Sequence, residues 1–134
     1  MTLQDFLNEN VVIGQTREIA LSDRFKDETG KPFLFKIRTL SKTEVAELRQ
    51  LCSYEEKGVT KIDTDKYDIK VCIAATVYPS FKDAKSAEKV GVGTPEEYLQ
   101  MVLKAGEIEV LSSQILDFSG YDKTFKELLK EAKN

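Results

Sequence analysis

The sequence predicts an α+β fold that is mostly helical, with one N-terminal β-hairpin packed against about five helices in a single domain. Three observations carry this expectation. Phe33, Phe35 and Ile37 alternate with Leu34, Lys36 and Arg38, the period of a strand. Ser41 and Glu44 form an S-x-x-E capping box that opens a helix directly after that strand. Ile69, Val71, Cys72, Ile73, Ala74, Ala75 and Val77 are apolar nearly all round, as expected of a buried helix.

Leu3, Phe6 and Leu7 have helical spacing, which predicts a short amphipathic turn over residues 2–9. Val11, Val12 and Ile13 then lead to Gly14, read as a linker. Residues 16–22 and 33–39 are the expected hairpin strands, joined by the turn formers of Asp27 to Pro32. Phe33, Phe35 and Ile37 read as the core face, and Arg24, Lys36 and Arg38 as the solvent face. Val45, Leu48 and Cys52 line one side of the following helix, which Gly58 breaks. Asp63 or Thr64 caps the next helix, expected to run to Tyr78 ahead of Pro79.

Lys82 to Val90 is a short helix closed by Gly91 at C′. Thr94, Pro95, Glu96 and Glu97 supply a cap, an N1 proline and two acids for the helix dipole. Tyr98, Leu99, Val102 and Leu103 point inward, and Gly106 interrupts. Ile108, Leu111, Ile115 and Phe118 continue at helical spacing to Gly120. Asp122 opens a last helix with Phe125, Leu128, Leu129 and Ala132 on one side. The expected organisation is one domain over 1–134: an arm at 1–14, the hairpin at 15–40 and a helical region at 41–134.

A chain of 134 residues buries enough surface to fold without a disulfide or metal. Its 41% hydrophobic and 32% charged residues are those of a soluble globular protein. The net charge of -3 argues against a phosphate-binding surface, so no nucleic-acid partner is expected. No signal peptide and no apolar run of transmembrane length stands out, so the expected location is the cytoplasm, away from membranes. Cys52 and Cys72 are expected to be reduced and half-buried, and two distant thiols without any histidine make no metal site.

Chemistry is equally sparse. Histidine, the commonest general base, is absent. Glu107, Glu109, Asp117 and Asp122 lie near helix ends or on polar faces, where capping or solvation accounts for them. Gly91-Val92-Gly93 follows no strand and lacks the remaining dinucleotide-loop glycine. Gly30-Lys31-Pro32 lacks the hydroxyl residue of a P-loop. Lys123, Lys126 and Lys130 interleave with Glu127 and Glu131, a salt-bridged solvent face. No catalytic, cofactor-binding or metal-binding residue is assigned, and no enzyme activity is expected. The candidate partner-binding residues are two apolar faces, Leu3, Phe6 and Leu7 near one end and Phe125, Leu128 and Leu129 near the other. Packing onto the domain is the ordinary explanation for each face, and contact with a neighbour, including self-association, is the alternative.

A series of short motifs runs through the chain: Leu3-Gln4-Asp5-Phe6-Leu7, Ser22-Asp23-Arg24-Phe25, Gly30-Lys31-Pro32-Phe33 and Phe35-Lys36-Ile37-Arg38. Tyr78-Pro79-Ser80-Phe81-Lys82-Asp83-Ala84, Gly91-Val92, Gly106-Glu107, Gly120-Tyr121-Asp122 and Glu131-Ala132-Lys133-Asn134 follow. Their order and spacing resemble the XkdN-like tail assembly chaperones of phages and prophages, although Lys85-Ser86 is more polar than that pattern. The resemblance implies a non-enzymatic protein that binds the tape measure protein and promotes assembly of the major tail tube protein. It also implies a longer frameshifted form, for which Ala132-Lys133-Asn134 is compatible with a slippery codon run. The alternatives are a virion structural protein, such as a tail completion or connector subunit, and a small cytosolic adaptor.

Overall fold

The computed structural model describes residues 1–121. The expected last helix, with Phe125, Leu128, Leu129 and the lysine stripe from Lys123, lies outside the described residues. Among the described residues, six helices and two small antiparallel sheets appear in the order α1 (Leu3–Glu9), β1 (Thr16–Ile19), β2 (Phe35–Arg38), α2 (Lys42–Leu51), β3 (Ser53–Glu56), β4 (Val59–Ile62), α3 (Thr64–Ala75), β5 (Thr76–Tyr78), α4 (Ala84–Lys89), α5 (Pro95–Val102) and α6 (Ala105–Phe118). The mostly helical α+β class holds, with more strand than a single hairpin.

The larger sheet has the order β1-β2-β5, so β2 is central. Its alternation works as expected: Phe35 and Ile37 are buried while Lys36 is exposed. Phe33 departs from this pattern. It lies before the strand begins and is 59% exposed. The cause is the connection at 20–34, which folds back on itself before β2. Phe33 N–H donates to the Phe25 carbonyl at 2.8 Å, and Lys26 bridges to Pro32. Asp27 closes that turn, accepting from the backbone N–H groups of Thr29 at 2.8 Å and Lys31 at 3.0 Å.

The capping box of α2 forms as expected: Ser41 Oγ accepts from Glu44 N, and Glu44 Oε1 accepts from Ser41 N, both at 3.1 Å. The helix ends at Cys52, which serves as its C-cap. Gly58 does not break it. Instead Lys57 (φ 54°) and Gly58 (φ 77°) form the two-residue turn of a second hairpin, β3–β4, with Glu56 opposite Val59. Positive φ at both turn positions suits the twist of a tight hairpin.

Asp63 caps α3 through its side chain, but the helix stops at Ala75 and not at Tyr78. Thr76–Tyr78 instead pairs with β2, Ile37 facing Thr76 and Lys36 facing Tyr78. The β-branched Thr76 and Val77 suit an extended chain, and pairing satisfies backbone groups on that side of β2. Downstream, α4 closes in a Schellman motif, with Val92 N–H bonded to the Ala87 carbonyl and Gly91 N–H to that of Glu88, both at 3.0 Å. Gly91 supplies the required φ of 80°. The interruption expected at Gly106 falls at Leu103 and Lys104, so Gly106 sits in the first turn of α6.

The core lies where α3 packs along α6 beneath β2. Ile37, Val71, Cys72, Ala75, Leu99, Leu111 and Ile115 are fully enclosed there. Every apolar side chain of α1 stays outside it.

Candidate functional site

Several of the polar side chains that could carry chemistry are engaged in holding the scaffold. Glu107, at the start of α6, is buried and accepts hydrogen bonds from four groups. Arg24 donates twice, Nε to Oε2 and Nη2 to Oε1, each at 2.7 Å. Ser22 Oγ donates at 2.6 Å and the Lys104 backbone N–H at 2.8 Å. Arg24 Nη2 also donates to the Val102 carbonyl at 2.7 Å. These bonds, led by Arg24, hold the Glu107 carboxyl down to about 2. The capping role expected of Glu107 is present, joined to a long-range clip that fastens residues 22–24 to the α5–α6 junction.

A second clip replaces the expected solvent-facing Arg38. Its guanidinium donates to both carboxylate oxygens of Glu44 at 3.0 and 2.7 Å and to the Ala74 carbonyl at 3.1 Å. The Glu44 carboxyl is consequently lowered to about 2, chiefly by Arg38. The clip joins β2, α2 and the end of α3. Arg24 and Arg38 are therefore not the free solvent face that strand alternation predicts; Lys36 is.

Cys52 and Cys72 are free thiols and more completely buried than expected. Burial pushes the Cys72 thiol up to about 12, and its Sγ lies 3.4 Å from the Ile108 carbonyl. A thiol so placed is a packing group, not a nucleophile. Among the described residues, no group of three or more His, Cys, Asp or Glu side chains is placed to hold a metal ion. No helix among them is long and apolar enough to cross a membrane.

The uncovered chemistry is apolar. The α1 helix forms as spacing predicts, with a capping box in which Thr2 Oγ1 accepts from Asp5 N and Asp5 accepts from Thr2 N. Among the described residues, packing onto the domain, the ordinary expectation for its face, does not occur. Leu3, Phe6 and Leu7 are 73%, 52% and 54% exposed. Val11, Val12 and Ile13 extend the same uncovered surface. At the base of this arm a groove of 660 Å³ runs between Val12, Ile13, Leu40, Glu44 and Phe118.

A second apolar feature escaped the sequence reading. Phe25, Phe33, Leu34, Tyr78, Tyr98 and Val102 surround a groove of 340 Å³ beside the β5 edge. The Phe25 ring stands edge-on to buried Phe35 at 4.9 Å, and the Arg24 guanidinium lies over the Phe25 ring, 4.3 Å from its centroid. Phe33 and Tyr78, the latter 69% exposed, form its open lip. Two signals could have revealed it. Pro32 precedes Phe33, and two aromatic residues flank Pro79 and Ser80 at Tyr78 and Phe81.

Fold and site together define a small α+β domain in which two arginine–glutamate clips secure the scaffold and apolar patches stand uncovered on the surface. The chain belongs to the phage XkdN-like tail assembly chaperone family, whose model matches residues 3–133. It is similar to YqbN of Bacillus subtilis (strain 168), with 27% identity over 138 residues covering 98% of this chain and 93% of YqbN. It is also similar to the phage-like element PBSX protein XkdN of the same organism, with 25% identity over 138 residues and coverage of 98% and 93%. The crystal structure of YqbN shares the fold, with a TM-score of 0.71 at 23% identity over 91% of this chain and 98% of that one. The motifs behind the family resemblance now have a physical meaning. Ser22-Asp23-Arg24 and Gly106-Glu107, far apart in sequence, meet in one ion pair.

Proposed function

We propose that this protein is a non-enzymatic chaperone that holds the tape measure protein soluble in the host cytoplasm and promotes assembly of the major tail tube protein around it. The observation that carries this reading is the α1 arm, which folds as a capped helix yet buries none of its apolar residues. A long helical client exposes an apolar stripe, and a helix offering Leu3, Phe6 and Leu7 can cover part of it. Phe125, Leu128 and Leu129 are proposed as a second contact on the strength of their helical spacing. The whole chain then acts as one client-binding unit. A modest interface suits a chaperone that must leave.

Co-expression with the tape measure protein of the same phage element tests the reading. The wild-type chain is expected to recover soluble tape measure protein, and Phe6→Asp and Phe125→Asp to lose most of it. Unchanged recovery by both folded variants overturns these contacts. Mass spectrometry of finished tails is expected to find the chain absent; stoichiometric presence would make it a virion structural protein instead.

A further inference from the structure

We propose that the aromatic groove beside β5 receives the N-terminal arm of a second copy of this chain. The inference goes beyond client binding and concerns the protein alone. The arm and the groove are each half of an apolar contact that a single molecule leaves unmade. The arm places Leu3, Phe6 and Leu7 in solvent, and the groove leaves Phe33 and Tyr78 open. The strand order β1-β2-β5 sets them at opposite edges of the sheet, since the arm runs into β1 and the groove adjoins β5. An arm leaving one edge and a groove at the other make a heterologous, head-to-tail contact the natural geometry.

Charge supports the same occupant. Residues 1–13 contain Asp5 and Glu9 and no lysine or arginine. The segments forming the groove carry Lys26, Lys31, Lys36 and Lys82, none of which forms an ion pair among the described residues. Of the acids on those segments, Asp27 is held by Thr29 and Lys31, and Asp83 caps α4. On α5, whose Tyr98 and Val102 line the groove, Glu96 pairs with Lys70 and Glu97 accepts from Thr94 Oγ1; Asp23, Glu28 and, across the strand from Lys36, Glu18 remain. An acidic apolar helix therefore meets an aromatic groove with an excess of uncommitted lysines. The 340 Å³ volume is in the range of a site that seats a few side chains and is too small for a whole helix, so Phe6 is the expected anchor.

Sedimentation of the full chain without any client tests this, using Phe6→Asp and Phe33→Asp, both at exposed positions and checked for fold by circular dichroism. The wild type is expected to associate above its 15.2 kDa monomer mass in a concentration-dependent manner. Each variant alone should associate at least about thirtyfold more weakly, as expected for loss of a central anchor. An equimolar mixture of the two should regain a dimer, because the intact arm of Phe33→Asp can enter the intact groove of Phe6→Asp. A monomeric wild type overturns the proposal. So does a mixture that stays monomeric, or a variant that associates as the wild type does. None of these results bears on client recovery, so the two proposals fail separately.

Discussion

The helices α1 and α3 begin from the same signal, a capped start followed by apolar residues, and meet opposite fates. Asp63 caps α3 and Thr2 caps α1, each through a side-chain bond to the helix backbone. In α3 the Val71, Cys72 and Ala75 side chains are wholly enclosed, whereas no residue of α1 is buried. The difference lies in what each helix is offered. The α3 helix runs between α6, α2 and α5, and its apolar residues cover the circumference. The α1 helix has one apolar stripe, and no described element covers it enough to bury a residue. Local sequence sets the helix in both cases, and only long-range packing decides whether its apolar face belongs to the fold or to a partner.

The largest expected effect falls on the enclosed side of this comparison. Ile37→Ala removes a fully buried side chain from the central strand and should lower unfolding free energy by roughly 3 kcal/mol in a urea titration. A loss as small as that of a surface substitution would show that the core is centred elsewhere. Glu107→Gln is expected to cost less, but still to lower the melting temperature clearly. It weakens the bidentate bonds from Arg24 and leaves a buried amide with two donors to satisfy.

Acid should act on the same clips. The Glu107 and Glu44 carboxyls are each held at about 2 in the fold against an ordinary 4.5. A lowered folded pKa means that the unfolded chain binds protons first as pH falls. The stability these groups contribute is therefore complete above about 4.5 and is lost between there and about 2. Glu107→Gln should flatten that part of the stability–pH profile, which chemical denaturation at stepped pH would measure. An unchanged slope would show that the Arg24 clip contributes nothing.

How far these contrasts were legible depended on range. The caps at Ser41, Asp63 and Thr94, the turn glycine at Gly91 and the buried character of α3 rest on neighbours within a few residues, and each stands in the structure. The β3–β4 hairpin was missed because Gly58 reads equally as a helix stop and as a turn residue, and Lys57 gives no hint of its positive φ. The three-residue β5 was missed because apolar Val77 also continues the helical pattern; only the nearby β2 edge makes it a strand. Alternation assigned Phe33 to the core, but the local fold-back at Lys26 and Pro32 precedes the strand and turns Phe33 out. The partners of Arg24 and Arg38 lie in other elements and left no mark on strand periodicity. For the candidate site, spacing found the arm residues but not their exposure, while the aromatic groove is assembled from distant segments, so the aromatic residues beside Pro32 and Pro79 hint at its parts but not at their meeting.

The smallest effect on stability belongs to the arm. At a protein concentration low enough to keep the wild type monomeric, Leu3→Ser and Phe6→Asp should each change unfolding free energy by no more than about 0.5 kcal/mol, as for other exposed positions. A larger loss would mean that α1 packs on the domain in solution and that its face is part of the core.

The most direct test of the claim that this apolar arm serves a partner and not the fold joins two readings on one variant. Phe6→Asp should match the wild type in its urea midpoint while recovering far less co-expressed tape measure protein. A variant that keeps its stability and still recovers the client as well as the wild type would contradict the account.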